Sequence, residues 1–111
     1  MSFEIFPTLR FKKEAKKLQK RFPSLKTDLK ELETILQHNP EYGVDLGNNT
    51  FKIRLAIKSK GKGKSGGARV ITYLIYSNRE IYLLSIYDKS DFSIIDDKTL
   101  KRLIAEIKNS K

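Results

Sequence analysis

The chain has 111 residues, 23 of them lysine or arginine against 13 acids, giving a formal net charge of +10. That length supports one hydrophobic core, so residues 1–111 read as a single domain, and the basic balance points to a polyanion as partner, most often nucleic acid. The absence of cysteine excludes disulfides and thiolate metal sites, and no apolar run has the length of a membrane span or the pattern of a signal peptide. A cytoplasmic protein with no membrane association is expected.

The opening "FEIF" is a short apolar run stopped by Pro7 and reads as a first strand. Phe11, Ala15, Leu18 and Phe22 then recur at helical spacing, while Arg10, Lys12, Lys13, Lys16, Lys17, Lys20 and Arg21 load the other faces. Pro23 ends this helix, and Ser24 is placed to cap a second one carrying Leu25, Leu29, Leu32 and Leu36, which runs to Asn39-Pro40. "YGVDLGNNT" reads as turns. After it Phe51, Ile53, Leu55 and Ile57 alternate with Lys52, Arg54, Ala56 and Lys58, the pattern of a half-buried strand with a cationic face. "ARVITYLIY" is apolar on both faces, as a central strand should be, and a tight connection at Ser77–Glu80 leads into "IYLLSIY" to form a hairpin. Asp96-Asp97 supply N-terminal acids for a last helix with Leu100, Leu103, Ile104 and Ile107. The order β-α-α-β-β-β-α predicts an α+β domain with a largely antiparallel sheet packed on helices.

Joining the Phe51–Ile57 strand to the central strand is "IKSKGKGKSGGARVITY", with five cations, four glycines and no acid. A phosphate-binding P-loop would have a helix after its GK[ST], whereas a strand follows Gly66-Gly67 here. The segment is instead expected to be a long, mobile hairpin connection whose Lys58, Lys60, Lys62 and Lys64 grip nucleic-acid backbone.

Conventional catalytic sets are nearly absent. His38, the only histidine, falls at a helix end, where it complements the helix dipole; no residues are spaced for a metal site, and no cofactor is expected. What the chain concentrates is cations on strands: seven from Lys52 to Arg69, with no acid among them. Lys52 and Arg54 share a strand face, Arg69 begins the neighbouring strand, and Lys89 follows the end of the next. Like charges gathered on a rigid sheet repel unless an anion binds, so this set is a candidate phosphodiester cradle.

At these residues the chain resembles the RelE/ParE superfamily of toxin–antitoxin toxins, most closely its HigB-like branch: "FKIRL", "KGKGKSGGARVITY" and "IYLLSIYDKSD" carry the likeness. The resemblance implies a microbial-ribonuclease-like fold, cleavage of mRNA in the ribosomal A site, and neutralisation by a cognate antitoxin of helix-turn-helix type. It implies as partners the 70S ribosome and mRNA. It places Lys52 and Arg54 where relatives hold catalytic cations, Arg69 at the arginine that binds the scissile phosphate, and Lys89 at the position that protonates the leaving group. Metal-free cleavage uses the 2′-hydroxyl as nucleophile, and a lysine crowded by other cations becomes a usable base, a role assigned to Lys52. Tyr87 would stack on a base or hold the phosphate. The family's functional tyrosine beyond the acid position is missing, since "SDFSIID" offers only Phe92, which can stack but cannot exchange a proton. Two alternatives stand beside RNA cleavage: a ParE-like poison of DNA gyrase on the same fold, and a non-catalytic RNA- or ribosome-binding module.

Overall fold

The computed structural model describes residues 2–61, 63–91 and 96–109, with only the backbone of Lys64 and Ser65. Strand β1 (Glu4–Pro7) leads into helix α1 (Leu9–Arg21), a three-residue link and helix α2 (Leu25–His38). Strands β2 (Val44–Gly47) and β3 (Thr50–Leu55) follow. A single 3-10 turn (Lys58–Lys60) and the four-residue helix α3 (Gly63–Gly66) then lead to β4 (Ala68–Ile75), β5 (Glu80–Asp88) and helix α4 (Asp97–Asn109). The sheet order is β1-β5-β4-β3-β2, antiparallel except for the parallel pair β1–β5. The expected α+β architecture with a largely antiparallel sheet is what the chain adopts.

Two apolar layers hold the sheet. On one face Phe51, Ile53, Leu55, Val70, Leu74, Ile81, Leu83 and Ile86 pack with Phe11 and Leu18 of α1 and Leu25, Leu32 and Leu36 of α2. Several of these are wholly buried, each contributing about 1.5–3 kcal/mol relative to exposure. On the other face Ile71, Tyr73 and Leu84 pack against Ile104 and Ile107 of α4, so β4 is apolar on both sides because both sides are covered. Asp96 caps α4 by accepting from the Thr99 N–H at 2.8 Å, and the Thr99 hydroxyl together with that amide holds its carboxyl below the ordinary value.

Helix α1 also completes the sheet where β1 stops. Thr8 donates through its N–H and its hydroxyl to Leu83 O, and the Glu14 carboxylate accepts from Ser85 Oγ at 2.7 Å and the Ile86 N–H at 3.2 Å. The edge of β5 beyond Leu83 is thus satisfied by a helix side chain in place of a strand.

Three features differ from the sequence reading. The segment read only as turns contains β2, whose four residues are all exposed and show no alternation of burial. Its hairpin to β3 turns through Asn48 and Asn49, both at positive φ (53° and 62°), a two-residue turn that asparagine tolerates. Ser24 stands at the N-cap position before α2 but does not cap it through its side chain; its Oγ donates instead to Asp28 Oδ2 at 2.8 Å. And the glycine-rich connection carries helical turns, its Lys58 and Lys60 paired with Glu31 and Asp88.

Candidate active site on the cationic face of the sheet

From Phe51 on, strand β3 alternates. Phe51, Ile53 and Leu55 go to the face packed by α1 and α2, so Lys52 and Arg54 project from the opposite face, half-buried and exposed respectively. The β3–β4 register sets Arg54 directly across from Arg69 and Lys52 across from Ile71; the β4–β5 register sets Arg69 across from Tyr87. Arg54, Arg69 and Tyr87 therefore form one row across three adjacent strands, with Lys52 two residues along from Arg54. Two arginines facing each other across a ladder repel, and an anion seated over them relieves that.

Arg69 is only 8% exposed, and its Nη1 donates to its neighbour's carbonyl, Ala68 O, at 3.1 Å. Its position is that of a fixed sheet residue. Tyr87 is half-buried; burial pushes its phenol up from the usual value, against the pull of the Arg69 charge, so it stays a hydrogen-bond donor at neutral pH. Beyond Tyr87 the row meets a cleft of about 270 Å³ between α1 and β5, bordered by Lys17 and Arg21. Lys89 is exposed, and its N–H donates to Gly67 O at 3.0 Å, which ties the end of β5 to the residue before β4. The row thus lies on one face of the sheet, and Lys89 stands in the turn just past the end of β5, the positions read for them from the sequence.

The connection lysines are placed differently from one another. Lys58 is exposed and pairs with Glu31 at 2.6 Å; the carboxylate's hydrogen bond and charge hold its ammonium above the ordinary value. Such an exposed pair is held only loosely. Lys60 is largely enclosed, its Nζ 2.5 Å from Asp88 Oδ1. Lys62 and Phe92 lie outside the described residues, as does the side chain of Lys64. His38 is the last residue of α2, the helix-end position expected for it.

Two acids at this site were missed. Asp88 is fully buried at the end of β5, and Asp28, 2% exposed, accepts from the Lys58 N–H at 3.2 Å. A signal existed for both. Asp28 falls on the buried stripe Leu25, Leu32, Leu36 of α2, and Asp88 ends a largely apolar strand. An acid at a core position requires a partner.

Among the described residues no group of three histidines or carboxylates comes together to hold a metal ion, and no helix is long and apolar enough to cross a membrane. The family model described as the RelE toxin of the RelE/RelB toxin–antitoxin system matches residues 3–109. The chain belongs to the RelE toxin family. As a RelE-family toxin it is a component of a toxin–antitoxin system. Its fold is similar to that of E. coli toxin RelE, solved as a double arginine-to-alanine mutant in the free state. That match has a TM-score of 0.63 and 17% identity over 96% of this chain and 99% of that one. It is similar also to the toxin–antitoxin complex RelBE2 from Mycobacterium tuberculosis, with a TM-score of 0.57 and 14% identity over 82% of this chain and 95% of that one.

Proposed function

We propose that this RelE-family toxin, of the HigB-like branch, is a ribosome-dependent mRNA endoribonuclease that inhibits translation without a metal ion. The observation that carries the reading is the cross-strand pair Arg54–Arg69 flanked by Tyr87, a cationic row fixed by backbone register. Two guanidiniums on one side of a phosphodiester donate to its non-bridging oxygens and gain as charge builds there in the transition state. Lys52 accepts the proton of the 2′-hydroxyl as its oxygen bonds to phosphorus. The P–O5′ bond breaks, and Lys89 supplies a proton to the departing oxygen, leaving a 2′,3′-cyclic phosphate and a 5′-hydroxyl. Tyr87, kept as a phenol, donates to a phosphate oxygen or stacks on the adjoining base.

The chain's net charge of +10 supports a polyanionic partner, and its basic α1 supplies footing on ribosomal RNA independent of sequence. Lys58, Lys62 and Lys64 add contacts to RNA backbone from the connection. The protein acts in the cytoplasm, and a cognate antitoxin, of helix-turn-helix type, neutralises it. A cell-free translation reaction with mapping of mRNA 5′ ends tests this: new ends within codons, dependent on ribosomes, are expected. Intact mRNA with inhibited supercoiling would establish a gyrase poison, and intact mRNA with ribosome binding alone a non-catalytic binder.

A further inference from the structure

The buried carboxylate of Asp88 gathers three donors. Lys60 Nζ lies 2.5 Å from Oδ1, Arg21 Nη2 lies 3.0 Å from Oδ2, and the Ser90 N–H donates to Oδ1 at 3.2 Å. Burial raises the cost of ionising this acid, yet the bonds from Lys60 and Ser90 outweigh it and hold the carboxyl below its ordinary value, so the charge is permanent near neutral pH. The Phe22 ring lies under both cations, 5.0 Å from the Arg21 guanidinium and 5.4 Å from Lys60 Nζ. Lys60 belongs to the β3–β4 connection and Arg21 to the last turn of α1, so one residue of β5 ties three separate elements. At the same place Asp88 pairs with Ala68, the residue before Arg69, and its successor Lys89 binds Gly67.

We propose that Asp88 is a positioning residue: its carboxylate latches Lys60 and Arg21 to the end of β5, and so holds Gly67, Arg69 and Lys89 in register across the cationic row. Lys60 then serves the site from within the protein, in contrast to Lys58, whose exposed pair leaves it available to RNA. Without the latch the root of the connection is released and the entry to β4 loosens. The consequence for cleavage rests on the function proposed above, whereas the latch itself does not.

Two arms test it. In the free protein, Asp88→Asn and Lys60→Met should each speed exchange of the Lys89 amide hydrogen at least about tenfold, while amides of α4 keep their protection, since local opening is read amide by amide. On programmed ribosomes each variant should lower the single-turnover rate at saturation roughly ten- to hundredfold, the scale of a misplacement near 1 Å. The ribosome concentration giving half-saturation should change less than about twofold. The double variant should be no slower than the worse single, because partners in one network are not additive. Unchanged Lys89 exchange in Lys60→Met overturns the latch even if the wild-type chain cuts no RNA. If Asp88→Asn does not fold, Lys60→Met decides: weakened ribosome binding with a parental rate at saturation returns Lys60 to the RNA-gripping set and overturns the proposal.

Discussion

Gly67→Ala tests how the entry to β4 is built. A Cβ at Gly67 would sit 2.0 Å from Leu55 O, 3.0 Å from Leu55 C and 3.1 Å from Ala56 Cα, where ordinary contact begins at 3.4 Å. The obstacle is backbone, so no rotamer change relieves it, and β3 and β4 must part by about 1.4 Å at this point. Overpacking of this kind costs about 1–3 kcal/mol. At roughly 4–8 °C per kcal/mol for a domain near this size, Tm should fall by roughly 5–20 °C. Arg69 is two residues on, opposite Arg54, so the same displacement should cost roughly a hundredfold in cleavage at saturating ribosomes. Gly61→Ala is the control: Gly61 has φ +72° but nothing within 4 Å of the added Cβ, so it meets backbone strain without a clash and should lose about 1 kcal/mol. Thermal melts and single-turnover cleavage on programmed ribosomes read both effects. A Gly67→Ala protein melting within about 2 °C of the parent and cutting at the parental rate would refute the close approach.

Arg69→Ala should slow single-turnover cleavage by roughly a hundredfold or more, and Arg69→Lys should also be poor because the planar fork is lost while the charge remains; parental rates in either would remove Arg69 from the chemistry. Replacing Lys16 and Lys20 of α1 together by glutamine should flatten the dependence of log affinity for ribosomes on log salt by roughly 1–2 units, and an unchanged slope would show that this face does not touch RNA. Asp88 has a folded-state pKa below its ordinary 3.8, so its stabilisation is complete above that value and is lost as pH falls through the folded one. Denaturant titrations should accordingly show the stability gap between parent and Asp88→Asn full at pH 7 and shrinking below about pH 4, and a gap that widens in acid would contradict the pairing.

Helices and strands that bury one face announced themselves by period: Phe11 and Leu18 of α1, Leu25, Leu32 and Leu36 of α2, and Phe51, Ile53 and Leu55 of β3 all fall where spacing put them. Strand β2 did not, because all four of its residues are exposed and its stability comes from the Asn48-Asn49 turn and the ladder to β3. The parallel pairing of β1 with β5 was equally hidden, since it joins Ile5 to Ile81 across 76 positions and no local pattern encodes that choice. For the candidate site, alternation alone put Lys52 and Arg54 on one face, and the hairpin logic brought Arg69 beside them. Register then resolved what spacing could not, the direct opposition of Arg54, Arg69 and Tyr87. The lysines of the connection looked alike in the sequence. Only the tertiary contacts distinguish Lys58, paired at the surface with Glu31, from Lys60, drawn onto the buried Asp88.

This cationic row is proposed to cut mRNA seated in a ribosome. Programmed 70S ribosomes carrying end-labelled mRNA, alongside the same mRNA free in solution, give its most direct test. Incubation with the purified toxin should cut the ribosome-bound message within the A-site codon, far faster than the free RNA, leaving a 2′,3′-cyclic phosphate on one fragment and a 5′-hydroxyl on the other, with the cut slowed roughly a hundredfold or more by Arg69→Ala. Equal rates on bound and free RNA, or an intact message in the presence of folded toxin, would contradict it.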